Sequence, residues 1–212
     1  MELYHEFHSW HNMPCAASDG TAESFSASPH SGDMRIGTMA ASRLLYHSPY
    51  EAYPFLSDGI DDLRCDFELL TDEMTSMTGL LRAQVADEDL RRELLWVGEL
   101  IYHINPTLRT RMTVTEEETA RLAAAVERLR NQCGAHGFVL PQGCGAACTA
   151  HLLRVKGKCL VRLLYRHMRQ GHDVPNLLVD VCNLLSGYFF LLALKLNALS
   201  GVPEVPFISR NY

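Results

Sequence analysis

The chain has 212 residues, of which 47% are hydrophobic and 21% are charged, so it can bury a sizeable globular core. Its formal net charge of -6 excludes the molecule-wide cationic field that would attract nucleic acid. The seven cysteines are odd in number and include no C-x-x-C pair. With no signal peptide visible at the N-terminus, we expect mostly reduced thiols and a cytoplasmic protein.

The first segment differs in composition from the rest of the chain. Residues 1–33 are rich in Ser, Ala, Gly, Pro and His and show no sustained apolar period. This composition predicts a disordered tail, and we expect one helical domain over residues 34–212. His5, His8 and His11 are candidate metal ligands in the tail, although we favour a solvated tail without metal.

Two amphipathic helices are predicted next. From residue 61, apolar residues recur at spacings of three and four, which is typical of a helix with one buried face. They are Leu63, Phe67, Leu70, Met74, Met77 and Leu81. The same pattern repeats in Leu90, Leu94, Val97, Ile101 and Ile104. Pro106 ends the second helix, because proline disfavours helical geometry in the residue before it.

The third and fourth helices are marked by their ends. Thr115 and Glu118 have the spacing of a capping box, which predicts a helix start, and Leu122, Val126 and Leu129 form its inward stripe. Residues 134–145 carry Gly, Pro and Cys and are predicted to form a loop. A fourth helix is expected from about residue 146 to 167, with Gly171 as its stop.

The fifth helix begins with Pro175 in its first turn and runs to about Leu199. Residues 179–199 are apolar almost all round, as in a membrane span. Polar residues interrupt the segment, however, and its longest apolar run, residues 188–194, is far shorter than the ~20 residues that a bilayer requires. We therefore predict no membrane partner and an all-α fold, a five-helix bundle with this helix at its centre.

The fourth helix carries a row of cations. Four basic residues at intervals of four lie along one side of it, with His151 one turn earlier. They are Arg154, Lys158, Arg162 and Arg166. Such a row repels itself by roughly a few tenths of a kcal/mol per pair. It is either a solvated basic face or a site for phosphates or carboxylates. Asp72 and Glu73 on the first helix are candidate acidic partners, or a solvated acidic pair.

Four motifs in sequence order resemble the PduO-type ATP:cob(I)alamin adenosyltransferase family over residues 34–207. The family loop F-x-L-P-G-G corresponds to F-V-L-P-Q-G at residues 138–143, and the family helix H-x-x-R-x-x-x-R follows in register at His151, Arg154 and Lys158. An upstream motif matches at residues 62–74, and the third helix has the family's spacing. The family's N-R-L-S-D-Y-L-F corresponds to N-L-L-S-G-Y-F-F at residues 183–190.

The resemblance implies a homotrimer of five-helix bundles with active sites between subunits. The family transfers the 5′-deoxyadenosyl group of ATP, with Mg²⁺, to the cobalt of cob(I)alamin and releases triphosphate. By resemblance, Phe138 belongs to an apolar wall beside the corrin, and Asp72 pairs with Arg154 across the subunit boundary. These three residues are the expected catalytic set, and no protein nucleophile is required because cobalt attacks.

The nucleotide side is expected to comprise Lys158, Arg162 and Asn183, together with Thr38 in the N-terminal phosphate loop. Residues 34–42 keep this threonine but lack the Lys-x-Gly-Asp core of that loop, and Gly187 replaces an acidic residue. These departures leave two alternatives open. One is a non-catalytic relative that binds a corrinoid or another macrocycle as a carrier or regulator, and the other is a helical oligomer without a ligand.

Overall fold

The computed structural model describes residues 45–133 and 137–210, and five α-helices account for most of them. Thr38 and the histidines of the predicted tail lie outside the described residues. The helices are α1 (Leu63–Gln84), α2 (Glu88–Ile104), α3 (Glu116–Cys133), α4 (Gly145–Arg169) and α5 (Asn176–Leu199). A short 3-10 helix, Asn105–Leu108, follows α2. Within the described ranges, β-structure is limited to one isolated bridge. The predicted all-α, five-helix fold is therefore confirmed.

Side-chain caps fix the starts of α1, α2 and α3. The Asp62 carboxylate accepts a hydrogen bond from Arg64 N at 3.1 Å, and the Asp87 carboxylate accepts one from Leu90 N at 2.7 Å. The predicted capping box is present, because Glu118 N donates to Thr115 Oγ1 at 3.1 Å while Thr115 N donates to Glu118 Oε2 at 2.9 Å. Each cap satisfies amide groups that have no partner inside the helix.

The bundle is organised around α5, which packs against α3 and α4, while α1 packs against α2 and α4. By length and composition, α5 could cross a membrane, but 56% of its most apolar stretch is buried inside the bundle. Tyr188 and Phe189, in the middle of α5, are fully buried. This burial is the one expected for the central helix of a bundle.

Hydrogen bonds and an ion pair centred on Glu93 join three of the helices. The Tyr188 hydroxyl on α5 donates to Glu93 Oε1 of α2 at 2.9 Å, and Glu93 also pairs with Arg128 of α3 at 2.5 Å. Burial raises the pKa of Tyr188 well above its usual value, with Glu93 adding to the shift, so the hydroxyl keeps its proton. One hydrogen-bonded group thereby connects three helices.

Arg109 fixes the segment that precedes α1. Its Nη2 lies 2.6 Å from Asp58 Oδ2, its Nε lies 2.6 Å from Glu68 Oε1, and its guanidinium carbon lies 3.7 Å from the centre of the Phe55 ring. Burial disfavours the charge on Arg109, but the hydrogen bonds to Glu68 and Asp58 outweigh it and raise the pKa. Because Glu68 is only 4% exposed, this ion pair is largely desolvated.

Candidate active site

A close contact between α4 and α5 builds the first part of the site, here called the α4–α5 seam. A Cβ added to Gly157 of α4 would lie 3.1 Å from the Cα and N atoms of Ser186 on α5. The Ser186 hydroxyl donates to the Arg154 carbonyl at 3.2 Å. Small residues at both positions therefore let the helices approach closely and fix where Arg154 leaves α4.

Arg154 and His151 lie beside an aromatic ring of α5 in this seam. The Arg154 guanidinium carbon is 5.7 Å from the centre of the Phe190 ring, and the His151 and Phe190 ring centres are 6.3 Å apart. His151 is only 3% exposed. Within the described chain, neither ring nitrogen of His151 nor the buried Nε of Arg154 has a hydrogen-bond partner.

These surroundings lower the pKa values of three side chains on α4. Burial, together with the smaller effect of the Arg154 charge, lowers the pKa of His151 to about 4, so the imidazole is neutral at neutral pH. Burial also lowers the pKa of Arg154. The pKa of Lys158, one turn further along α4, is lowered by burial and then by repulsion from Arg154. An anion beside these two cations would offset both effects.

The expected nucleotide-side residues follow Arg154 along the same seam. Since α4 and α5 are antiparallel, the turn of α4 that carries Lys158 lies beside the turn of α5 that carries Asn183. Lys158, Arg162 and Asn183 are all exposed, and Asn183 Nδ2 donates to Val179 O at 3.0 Å. Arg154, Lys158 and Arg162 thus lie on successive turns of α4, and Asn183 lies on the neighbouring helix α5, about one turn before Ser186.

Asp72 lies on α1, apart from this seam within a single chain. It is exposed, and no ion pair among residues 45–133 and 137–210 includes it. Its neighbour Glu73 pairs instead with Lys156 of α4 at 2.5 Å, with side chains 49% and 32% exposed. One chain therefore does not bring Asp72 and Arg154 together, and their pairing between subunits stays a prediction.

Phe138 belongs to a short two-stranded ribbon, defined here as residues 138–140 and 205–207. Val139 forms the bridge with Pro206, Leu140 N donates to Val205 O at 2.9 Å, and Phe207 N donates to Phe138 O at 2.8 Å. Val139 packs against the core. The ribbon therefore attaches the C-terminal segment to the loop before α4.

One face of the ribbon is an apolar surface. Side chains alternate along a strand and directly opposed residues share a face, so four apolar side chains point away from Val139 and the core. They are Phe138, Leu140, Val205 and Phe207, which are 63%, 41%, 40% and 49% exposed. The sequence analysis identified only Phe138 of this group. The structure adds Val205 and Phe207 from a segment whose pairing no local pattern reveals.

The arrangement of the helices is that of a known class of enzymes. A variant of the PduO-type ATP:corrinoid adenosyltransferase from Lactobacillus reuteri, solved with cobalamin and ATP, superimposes with a TM-score of 0.62. The two chains are 22% identical, and the match covers 71% of this chain and 86% of that chain. Another variant, solved with ATP, gives a TM-score of 0.62 at 22% identity, covering 69% and 88% of the two chains. The fold is therefore that of the PduO-type adenosyltransferases.

Sequence comparisons narrow the assignment from the fold to the family. Residues 61–196 match the family model described as cobalamin adenosyltransferase. The corrinoid adenosyltransferase of Bacillus subtilis (strain 168) is 27% identical over 157 residues, which is 69% of this chain and 81% of the relative. The chain belongs to the cobalamin adenosyltransferase family, a family of transferases, and the resemblance inferred from its motifs is confirmed.

Proposed function

We propose that this protein transfers the 5′-deoxyadenosyl group of ATP to cob(I)alamin. The electron pair of Co(I) forms the bond to C5′, the C5′–O bond breaks, and its electrons leave with triphosphate. The observation that carries the proposal is the α4–α5 seam, where the helix that bears Arg154 and Lys158 packs against the helix that bears Asn183, in a chain that belongs to this family. With cobalt as the nucleophile, the protein supplies position and charge.

Lys158, Arg162 and Asn183 are proposed to bind the triphosphate. Burial lowers the pKa of Arg154, so a polyanion in the seam would relieve the cost of its charge. Each charge-assisted hydrogen bond contributes roughly 1.5–3 kcal/mol. Thr38 would add a hydroxyl from the N-terminal loop. Without the Lys-x-Gly-Asp core, ATP binding depends mainly on α4.

Magnesium is proposed to enter with ATP rather than to occupy a site formed by the protein. No group of three or more His, Cys, Asp or Glu side chains with metal-binding geometry occurs in the described parts of the chain. Mg²⁺ keeps several waters and commonly binds through substrate phosphates with only one or two carboxylates. Such binding through the substrate needs no preformed cluster of protein ligands.

The apolar face of the ribbon is proposed to lie against the corrin. Phe138 and Phe207 offer aromatic surface to a flat macrocycle, and neither Leu140 nor Val205 carries a side-chain group that can ligate cobalt. An apolar wall excludes water from that side of the metal. It also favours loss of the lower axial ligand, which makes the cobalt easier to reduce.

A cytoplasmic homotrimer is proposed as the active form. Arg154 has a buried Nε without a partner in the described chain, while Asp72 is exposed on α1 without an ion pair there. Pairing the two residues between subunits would satisfy both. Exposed leucines on the same helices, Leu69 of α1 and Leu152 of α4, supply apolar area for such an interface. Cys65, Cys144, Cys148, Cys159 and Cys182 are free thiols, which agrees with a reducing compartment.

A non-catalytic corrinoid carrier or regulator is the second candidate. It is favoured by the altered segment 34–42 and by Gly187, which stands on α5 where the family has an acidic residue. Both changes affect the nucleotide side. The ribbon, in contrast, retains Phe138 and its apolar neighbours. Loss of nucleotide binding with retention of corrinoid binding is the pattern that this candidate requires.

Separate anaerobic titrations distinguish the two candidates. We expect cob(II)alamin to bind with a change in the cobalt spectrum, and MgATP to bind more weakly, as measured by the heat of binding. Tight MgATP binding without any corrinoid binding would contradict the proposal and indicate an unrelated nucleotide-binding bundle. Corrinoid binding with no detectable MgATP binding would favour the carrier or regulator.

A further inference from the structure

Asn197, near the end of α5, is a fully buried polar residue whose side chain binds three separate backbone and side-chain groups. Its Oδ1 accepts a hydrogen bond from Cys144 N at 3.0 Å. Its Nδ2 donates to Gln142 O at 3.0 Å and to Glu204 Oε1 at 2.9 Å. The partners fix the orientation of the amide, because Cys144 N can only donate and Gln142 O can only accept.

The loop backbone is pressed against this amide. Gly143 has a φ of 137°, which side chains rarely adopt, and a Cβ added there would lie 1.9 Å from Asn197 Oδ1. Only glycine permits the loop to pass so close to Asn197. On the other side, Val202 N donates to Asn197 O at 2.9 Å where the chain leaves α5. Asn197 thus holds the loop and the C-terminal segment at one point.

We propose that Asn197 is a positioning residue for the corrin-facing ribbon, a role that rests on the proposed function. The two strands of the ribbon come from distant parts of the sequence, and two strands alone have little stability in water. Gln142 follows the first strand by two residues, and Glu204 directly precedes the second. Both are bound by the Asn197 amide, so the orientation of Phe138 and Phe207 depends on it.

Asn197 acts through the ribbon and not on the substrates directly. It is fully buried, and its amide has all three of its hydrogen-bond partners within the protein. The contacts that define the α4–α5 seam, around Arg154 and Ser186, lie about three turns of α5 away. Loss of the three Asn197 hydrogen bonds should therefore weaken corrinoid binding and leave nucleotide binding nearly unchanged.

Asn197→Asp is the most selective change. It keeps the acceptor for Cys144 N, removes both donors, and places a carboxylate against Gln142 O and the Glu204 carboxylate. We expect cob(II)alamin binding to weaken by roughly tenfold or more, since two hydrogen bonds are lost, with a smaller change in the cobalt spectrum. MgATP affinity should stay close to that of the unmodified protein. Asn176→Asp, at the exposed start of α5, is the matched control.

Backbone amide exchange gives a readout that is independent of ligand. Asn197→Asp should speed exchange in residues 138–144 and 203–208 and leave α1 and α2 unchanged. Glu204→Ala releases only the C-terminal strand and should weaken cob(II)alamin binding by a smaller factor. If Asn197→Asp does not fold, the Glu204→Ala variant tests the positioning role in its place.

The outcomes separate this inference from the proposed function. Unchanged exchange at the ribbon, unchanged cob(II)alamin binding in a folded variant, or an equal loss of MgATP binding would each overturn the positioning role. If the unmodified protein binds MgATP but no cob(II)alamin, the proposed function itself is wrong and the role of Asn197 in it is refuted as well.

Discussion

Gly157 and Ser186 bring the backbones of α4 and α5 so close that a single added methyl group would lie 3.1 Å from the Ser186 main chain. The Ser186 hydroxyl also donates a hydrogen bond to the Arg154 carbonyl. The position of Arg154 in the seam therefore depends on the absence of a side chain at residue 157.

Gly157→Ala tests this contact against a matched glycine. In Gly79→Ala, on the exposed side of α1, the new Cβ meets nothing within 4 Å, so the helix should gain ~0.5–1 kcal/mol. At residue 157 the nearest atoms are backbone, and overpacking should instead cost about 1 kcal/mol or more. Urea unfolding of both variants measures the difference. Equal stabilisation by the two alanines would show that the seam is not tight.

The proposed pairing between subunits predicts different effects for two adjacent carboxylates. Asp72→Asn should leave Arg154 without its charge partner and cost about 3–5 kcal/mol, spread over assembly and corrinoid binding. Glu73→Gln removes only the half-exposed pair with Lys156, which should cost ~1 kcal/mol or less. Sedimentation of both variants at micromolar concentration gives the comparison. A trimer that is equally stable in both variants, or an unmodified protein that is a monomer, would contradict the pairing.

The buried imidazole of His151 predicts a pH dependence of stability. Its pKa falls from an ordinary value of 6.5 in the unfolded chain to about 4 in the fold, because of burial and the Arg154 charge. Between these values the unfolded state binds more protons, so the free energy of unfolding must decrease as pH falls from about 6.5 to about 4, by ~1.4 kcal/mol per unit of pKa difference.

Unfolding free energies of the unmodified protein and His151→Leu across this range isolate the effect from that of other groups. The slope should be smaller in His151→Leu. His103→Leu, at an exposed position on α2, should keep the full slope. Parallel curves for all three proteins would mean that His151 is accessible to protons in the folded state.

The corrin and nucleotide sides should respond to different substitutions. Phe138→Ala removes an aromatic ring worth roughly 1.5–3 kcal/mol when fully buried, so cob(II)alamin affinity should fall about ten- to hundredfold while MgATP affinity is retained. Arg162→Met removes a charged donor, and MgATP affinity should fall by a similar factor with corrinoid affinity retained. Calorimetric titration of each variant with each ligand measures both effects. If either variant loses affinity for both cob(II)alamin and MgATP, the corrin and nucleotide sides are not separate.

The helices could be predicted from sequence because their signals are local. Apolar spacing, the Thr115 capping box, Pro106 and Gly171 each act within one or two turns. The spacing marks the buried helix faces, and the other three features correspond to helix ends observed. The family motifs place Arg154, Lys158 and Asn183 on two helices that pack together, while the roles of these residues stay a prediction.

The remaining parts of the site depend on contacts between distant segments. No pattern near Phe207 predicts pairing with residue 138, and nothing around Asn197 identifies Gln142 and Glu204 as its partners. Arg109 was missed for the same reason, since Asp58 and Glu68 precede it by dozens of residues. The predicted pair of Asp72 and Arg154 requires a second subunit, which one chain does not contain.

The most direct test of the account is a single turnover measurement. The protein is incubated anaerobically with chemically reduced cob(I)alamin and MgATP, while the absorption spectrum of adenosylcobalamin and the release of inorganic triphosphate are followed together. The account predicts that both products form in equal amounts, and that Arg162→Met slows their formation. Absence of adenosylcobalamin, in a protein that binds both substrates, would contradict an adenosyltransferase and favour the corrinoid carrier or regulator.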